Sequence, residues 1–396
     1  MTENLLTTSN LDKQWHDYPV SHFLHGYLRA KAGLNVGMDN GLHGLNKYVH
    51  GVHPGRYYLI GADSGVGKTT FADFAFVLNA IETAKKTGRK LHIFYYSFEI
   101  SKVEKMAKWV AAFVFRKSGI RLSSEYIMGR IASMQVSPEH DNLIMEAWNY
   151  VETEIMPYII FIEDPVHPTY IFQTLIDNHF DKIGIVTRDT VSEQQKKEGK
   201  KGRITGYRKR PGHEEDMTMV LVDHVALTAS EKGLNTKETI DRLSSYMVQI
   251  RNLFGAVVVM IQQFNSDLQT FNRNMQLRSK GAQIILPQKL DFGDSKYTYR
   301  DADVVIGLVS PYQFSLEDFF GVDITFFKNY YIAAVLMKNR YGPANKMVSY
   351  LMDPYAGSFE YIPEPTKARN PFIEDFYSPT LNALDACQKL FSQESQ

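Results

Sequence analysis

Nine residues, ADSGVGKTT at 62–70, constrain this chain more than any other stretch. They lie between the apolar run YYLIG and the helical pattern KTTFADFAFVL. A glycine-rich turn from strand into helix curls the backbone so that its N–H groups converge on phosphate oxygens. The helix N-terminus adds a partial positive charge. The spacing fits a Walker A phosphate loop, with Ala62 in place of the usual first glycine. Ala62, Asp63, Ser64, Gly65, Val66, Gly67 and Thr70 form the cradle. Lys68 supplies a point charge for β- and γ-phosphates, and the Thr69 hydroxyl a ligand for Mg²⁺.

The surrounding pattern is an α/β alternation. Short apolar strands are expected over 57–61, 91–97, 157–162, 217–222, 256–262, 304–309 and 332–338. Helices are expected over 68–86, 102–117 and 242–254. Strands separated by helices imply right-handed crossovers and a doubly wound, mainly parallel sheet. Two polar stretches, 184–216 and 265–300, interrupt the rhythm as long loops. The expected division is an N-terminal helical arm over 1–35, a catalytic domain over 36–362 and a tail over 363–396. That tail ends in a short amphipathic helix around 381–391.

Composition narrows the classes. The 396 residues include 44 Lys+Arg against 44 Asp+Glu, so no global basic field grips nucleic acid and any such grip is local. The single cysteine, Cys387, excludes an internal disulfide framework and suits a reducing cytosol. No apolar run approaches the ~18–20 residues that span a bilayer, and the first ten residues do not read as a signal peptide.

A phosphate loop needs a carboxylate for the metal and a group to orient the attacking water. Asp223 ends the apolar run at 217–222, the edge where ligands bind in open parallel sheets. Its competing reading is a turn or capping acid. Glu99 follows the strand at 91–97 and is placed to accept a proton from water. Alone, it reads equally as a cap of the next helix.

The order ADSGVGKTT, YYSFEIS, VLVDH, IQQFN, RDADVV and LMKNRYGP, led in by GLHGLNKYVHGVHPGRYYLIG, resembles the ATPase domain of DnaB-like replicative DNA helicases, within the RecA-like P-loop class. The resemblance spans 36–362. It implies ATP and Mg²⁺ as cofactors, with Lys68 and Thr69 on phosphate and metal, Asp223 in the metal shell and Glu99 polarising water. It implies that Gln263 senses the γ-phosphate, and that Lys338 and Arg340 reach the γ-phosphate bound by a neighbouring copy. Residues 338 and 340, two apart on a strand, face the same way. A homo-hexameric ring on single-stranded DNA, unwinding duplex in the 5′ to 3′ direction, is then expected. So are a primase or helicase loader as partner, no membrane, and the cytoplasm of a bacterial cell or a virus-infected bacterial host. The helical arm either packs on the next subunit or folds on its own domain.

Two departures from that pattern stand out. About 35 residues precede the ATPase core, with no room for the family's separate helical domain. The family's usual Arg-Glu-Ser-Gly run aligns with 293–296, so Gly293 replaces the arginine. Arg273, Arg278, Lys280, Lys289 and Lys296 are the cations left for DNA in the 265–300 region. The basic stretch within 184–216 is either a strand contact or a solvated loop. A RecA- or KaiC-like ATPase, a recombinase or a protein-regulatory assembly without unwinding, is the competing function.

Overall fold

The computed structural model describes residues 18–31, 33, 35–131, 135–192, 194, 201–265, 286–293 and 296–363. Thirteen strands occur among them: β1 (Tyr57–Ala62), β2 (Leu91–Ser97), β3 (Ile159–Ile162), β4 (Gly184–Arg188), β5 (Ile204–Lys209), β6 (Met217–Asp223), β7 (Val257–Gln263), β8 (Val304–Val309), β9 (Asp318–Phe319), β10 (Val322–Asp323), β11 (Tyr331–Asn339), β12 (Lys346–Asp353) and β13 (Ser358–Ile362). Nine of them form one sheet in the order β13-β12-β11-β8-β1-β7-β6-β2-β3. From β8 to β3 the neighbours run parallel. β11, β12 and β13 extend the sheet antiparallel.

The central strands are apolar along their whole length because both faces of the sheet are covered. In β1, Tyr58, Ile60 and Ala62 enter one core with the helix that starts at Lys68 and the helix Lys102–Ser118. Tyr57 and Leu59 enter the other core, with the helices Pro168–Leu175 and Thr236–Phe254. The period of two along the strand thus divides one segment between two cores. The helix Thr236–Phe254 begins with a capping box, Asn235 accepting from the N–H of Glu238 and the Glu238 carboxylate accepting from the N–H of Asn235. This stops its first N–H groups from being orphaned and starts the helix six residues before the apolar period becomes readable at 242.

Three expectations are corrected. The stretch 184–216 is not simply a loop: β4 and β5 pair antiparallel within it. The sheet does not end at the strand around 332–338, since β12 and β13 follow. Between 118 and 157 stands the helix Pro138–Tyr150, started by Ser137 and Pro138. The helix expected around 381–391, and the cations Arg273, Arg278 and Lys280, lie outside the described residues.

The helical arm occupies Tyr18–Lys31. Near its end Arg29 donates to both carboxylate oxygens of Glu215 in the same chain. Leu24, Tyr27 and Leu28 on the same helix are exposed.

Candidate nucleotide site

The phosphate loop leaves β1 at Ala62 and turns into the helix beginning at Lys68. Gly65 (φ 74°) and Gly67 (φ 96°) both adopt left-handed backbone. At Gly67 a Cβ would also lie 2.5 Å from the Met352 sulfur, so no other residue fits there without displacing its neighbour. Lys68 is buried and donates to the carbonyl of Asp63 at 3.0 Å. Burial pushes its pKa down, while Glu99, Asp223 and Asp63 push it up.

The C-terminal ends of β2, β6, β7 and β8 surround this loop, as the parallel registers require. Ser97 pairs with Asp223, and Ala62 with Gln263. The hydroxyl of Thr69 donates to Asp223 Oδ2 at 2.9 Å. Asp223 is fully buried, and its Oδ1 has no hydrogen-bond partner. An acid in that position is not acting as a turn cap.

Glu99 lies just beyond β2 and is exposed. The capping work expected of it is done by others. Ser101 accepts from the N–H of Glu104, and Glu163 accepts from the N–H of Lys102 at 2.7 Å. Glu99 is therefore left facing the nucleotide side. Gln263 is exposed at the end of β7, whereas its neighbour Gln262 is buried and accepts from Thr298 at 2.7 Å.

Mg²⁺ takes few protein ligands and keeps water and phosphate oxygens around it. One hydroxyl, one buried carboxylate and an orphaned carboxylate oxygen suit that habit, and no cluster of three or more His, Cys, Asp or Glu is present among the described residues. Thr69 and Asp223 therefore fit such an ion.

Lys338 and Arg340 lie at the opposite edge of the sheet. β11 runs antiparallel to β8, so Asn339 pairs with Val304, and Val304 with Tyr58 at the start of β1. Four residue rows separate Val304 from Leu308, the partner of Ala62. At a rise of ~3.3 Å per residue this is about 13 Å along the strands. The strand alternation is broken by a register shift between Leu336 and Lys338, and Arg340 lies one residue past the strand end. Both cations still converge, each donating to the carbonyl of Arg300, at 2.7 and 3.2 Å. Lys338 also donates to the carbonyl of Tyr299. Its pKa is pushed down to about 8, first by burial and then by the Arg340 charge.

Lys289 and Lys296 are exposed on either side of Gly293. A Cβ at Gly293 would fall 1.5 Å from Asn265 Nδ2, so the side chain of Asn265 occupies the space an arginine would need.

Three participants escape the sequence reading. Asp73, Lys105 and Gln313 all border the site. Gln313, in the 3₁₀ turn after β8, donates to the carbonyl of Ser64. Lys105 and Asp73 are fully or almost fully buried and touch each other, and Lys105 touches Asp223.

A parallel sheet with a phosphate loop, a metal-side acid and an exposed acid at one edge defines the class: a RecA-like P-loop ATPase fold. Within that class the chain has the fold of DnaB-like replicative helicase ATPase domains. It superposes on the isolated ATPase domain of one such helicase with TM-score 0.60 at 16% identity, over 87% of this chain and 98% of that one. It superposes on a DnaB-like replicative helicase, described with its interactions with primase, with TM-score 0.59 at 16% identity, over 86% of this chain. It spans 65% of that second protein's length. No family model and no curated protein matches the sequence. No helix among the described residues is long and apolar enough to cross a membrane.

Proposed function

We propose that this chain is an ATP-driven translocase that assembles as a homo-hexameric ring on single-stranded DNA and separates duplex ahead of it, in the 5′ to 3′ direction. One observation carries the reading. The phosphate loop and the pair Lys338 and Arg340 sit at opposite edges of one sheet, so those cations can serve only a triphosphate held by another copy.

In this reading residues 36–362 are the ATPase unit. The cradle 62–70 binds the triphosphate, with Lys68 on the β- and γ-phosphates. Thr69 and Asp223 hold Mg²⁺, which when bound neutralises phosphate charge. Glu99 accepts the proton of the attacking water. Lys338 and Arg340 of the adjoining copy stabilise charge on the transferred group, a contribution of ~10³–10⁵ in rate for such an arginine. Gln263 relays the presence of the γ-phosphate to the segment that follows it. Lys289 and Lys296, with Arg273, Arg278 and Lys280, supply the DNA-side charge. Separating duplex costs about 1.4 kcal/mol per base-pair step, which the relay must draw from hydrolysis. A primase or a loader is the partner that such a ring would meet. Leu24, Tyr27 and Leu28 give the arm an apolar face for the next subunit, while Arg29 ties it to its own domain.

The deciding experiment measures ATP turnover with and without single-stranded DNA, for the wild type and Arg340→Ala. DNA-stimulated turnover that collapses in the variant, with nucleotide binding retained, supports the motor. Full activity in the variant removes the shared-site model. A second reading, a RecA- or KaiC-like assembly without unwinding, is favoured by the loss of the arginine at Gly293. It requires turnover indifferent to DNA.

A further inference from the structure

Lys105 is fully buried, a costly place for an ammonium, and the cost is tolerated only where the charge is fully paired. It lies on the helix Lys102–Ser118, in the apolar face that includes Met106, Trp109 and Val110. Its three N–H donors meet acceptors on three other elements. Asp73 on the phosphate-loop helix is 3.4 Å away, and Asp223 Oδ2 on β6 is 3.2 Å away. The third acceptor is the hydroxyl of Tyr95 on β2.

Asp73 is satisfied in turn. Tyr95 donates to its Oδ1 at 2.6 Å and Trp109 Nε1 to its Oδ2 at 3.2 Å. Asp223 differs. Its Oδ2 accepts from both Thr69 and Lys105, and its Oδ1 accepts from nothing. The cluster is thus complete except for one carboxylate oxygen, buried beside the phosphate loop.

We propose that Lys105 is a positioning residue: its ammonium pins Asp223 by Oδ2 and so reserves Oδ1 for the water shell of the magnesium ion that accompanies the triphosphate. The proposal rests on the nucleotide-site reading above. Without the ammonium, the Asp223 side chain would be free to rotate toward the space Lys105 leaves. Asp73 would also face it as an unscreened buried anion. Lys105 further joins the metal-side acid to the helix that begins three residues after Glu99, so metal geometry and water geometry share one anchor.

The test compares wild type, Lys105→Met, Asp73→Asn and the double variant carrying both. The double variant removes one buried charge of each sign and so guards against misfolding of Lys105→Met alone. Two quantities are read: the Mg²⁺ concentration giving half-maximal ATP hydrolysis, and binding of a fluorescent ATP analogue in EDTA. The expected result in the double variant is a rise of tenfold or more in the Mg²⁺ requirement, with EDTA-measured binding within twofold of wild type. Asp73→Asn, which keeps the ammonium on Asp223, should shift the requirement less than threefold. A folded double variant with wild-type Mg²⁺ dependence overturns the proposal. So does an equal shift in Asp73→Asn, which would assign the effect to packing of the cluster. A wild type whose nucleotide binding ignores Mg²⁺ would instead remove the underlying ATPase reading.

Discussion

Arg340 donates to the buried carboxylate of Asp303 at 2.7 Å, at the head of the strand that carries the phosphate loop. Asp303 also accepts from the Tyr57 N–H and from Arg251, so its charge stays paired when Arg340 is removed. Arg340 is 45% exposed and can swing away toward an adjoining copy.

Arg340→Ala should therefore fold, bind ATP and lose turnover on the order of 10³-fold or more. A mixing experiment separates a shared site from a local defect. Lys68→Ala lacks the phosphate charge but keeps Arg340, and Arg340→Ala has the reverse. Each is inactive alone. Mixed rings contain interfaces at which an intact loop meets an intact arginine, and these should recover part of the turnover. No recovery, in rings shown to be mixed by mass spectrometry, would count against catalysis between copies.

Lys338 gives a pH prediction. Its pKa is pushed down to about 8 in the folded chain, below the ordinary lysine value. Between that value and about 10.4 the unfolded chain binds the extra proton, so this group makes stability rise as pH rises through the window. Reactivity toward an amine-acylating reagent should reach half-maximum near pH 8 at Lys338, well below that of surface lysines. Triphosphate in an assembled ring should protect it and move the midpoint up, because a neighbouring anion favours the ammonium. A midpoint at the ordinary lysine value in the nucleotide-free protein would contradict the burial of this side chain.

Glu99→Gln should bind ATP normally and lose turnover by ~10²–10⁴, the usual worth of a general base. Stability should be little changed, since Ser101 and Glu163 start the following helix. Single-turnover hydrolysis with pre-bound nucleotide isolates the chemical step. A variant with unaltered single-turnover rate would release Glu99 from that role.

The phosphate loop, Glu99 and Asp223 are legible in the sequence because each is local: a spacing, or an acid at the end of an apolar run. Which glutamine matters is legible only through strand alternation, which sends Gln262 inward and Gln263 outward. β4 and β5 read as loop because their faces are only partly buried, so GIVTR and ITGYRK carry too few apolar residues to show a period. Lys105 cannot be recovered from sequence. Lys102, Lys105 and Lys108 look alike in KVEKMAKW, and only Asp73 and Asp223, brought from 32 and 118 residues away, distinguish the middle one. Nor does any local signal set Lys338 and Arg340 across the sheet from the loop, since that follows from β11 running antiparallel to β8.

Gly293 offers a prediction about coupling. The side chain of Asn265 fills the space beside it, and the Asn265 N–H donates to the carbonyl of Asp291 at 2.8 Å. Asn265 follows Gln263 by two residues, so its position reports the path of the chain leaving the γ-phosphate side. Gly293→Arg should displace that side chain and destabilise the protein by about 1–3 kcal/mol, the usual cost of overfilling a packed site. Nucleotide binding should survive, because the cradle at 62–70 is untouched, while stimulation by DNA should fall. Adding Asn265→Gly vacates the space, and the double variant should regain most of the lost stability, giving a coupling energy in a double-mutant cycle read by chemical denaturation. If the two substitutions prove additive, the two residues do not compete for one space, and the loss of the arginine at 293 has another cause.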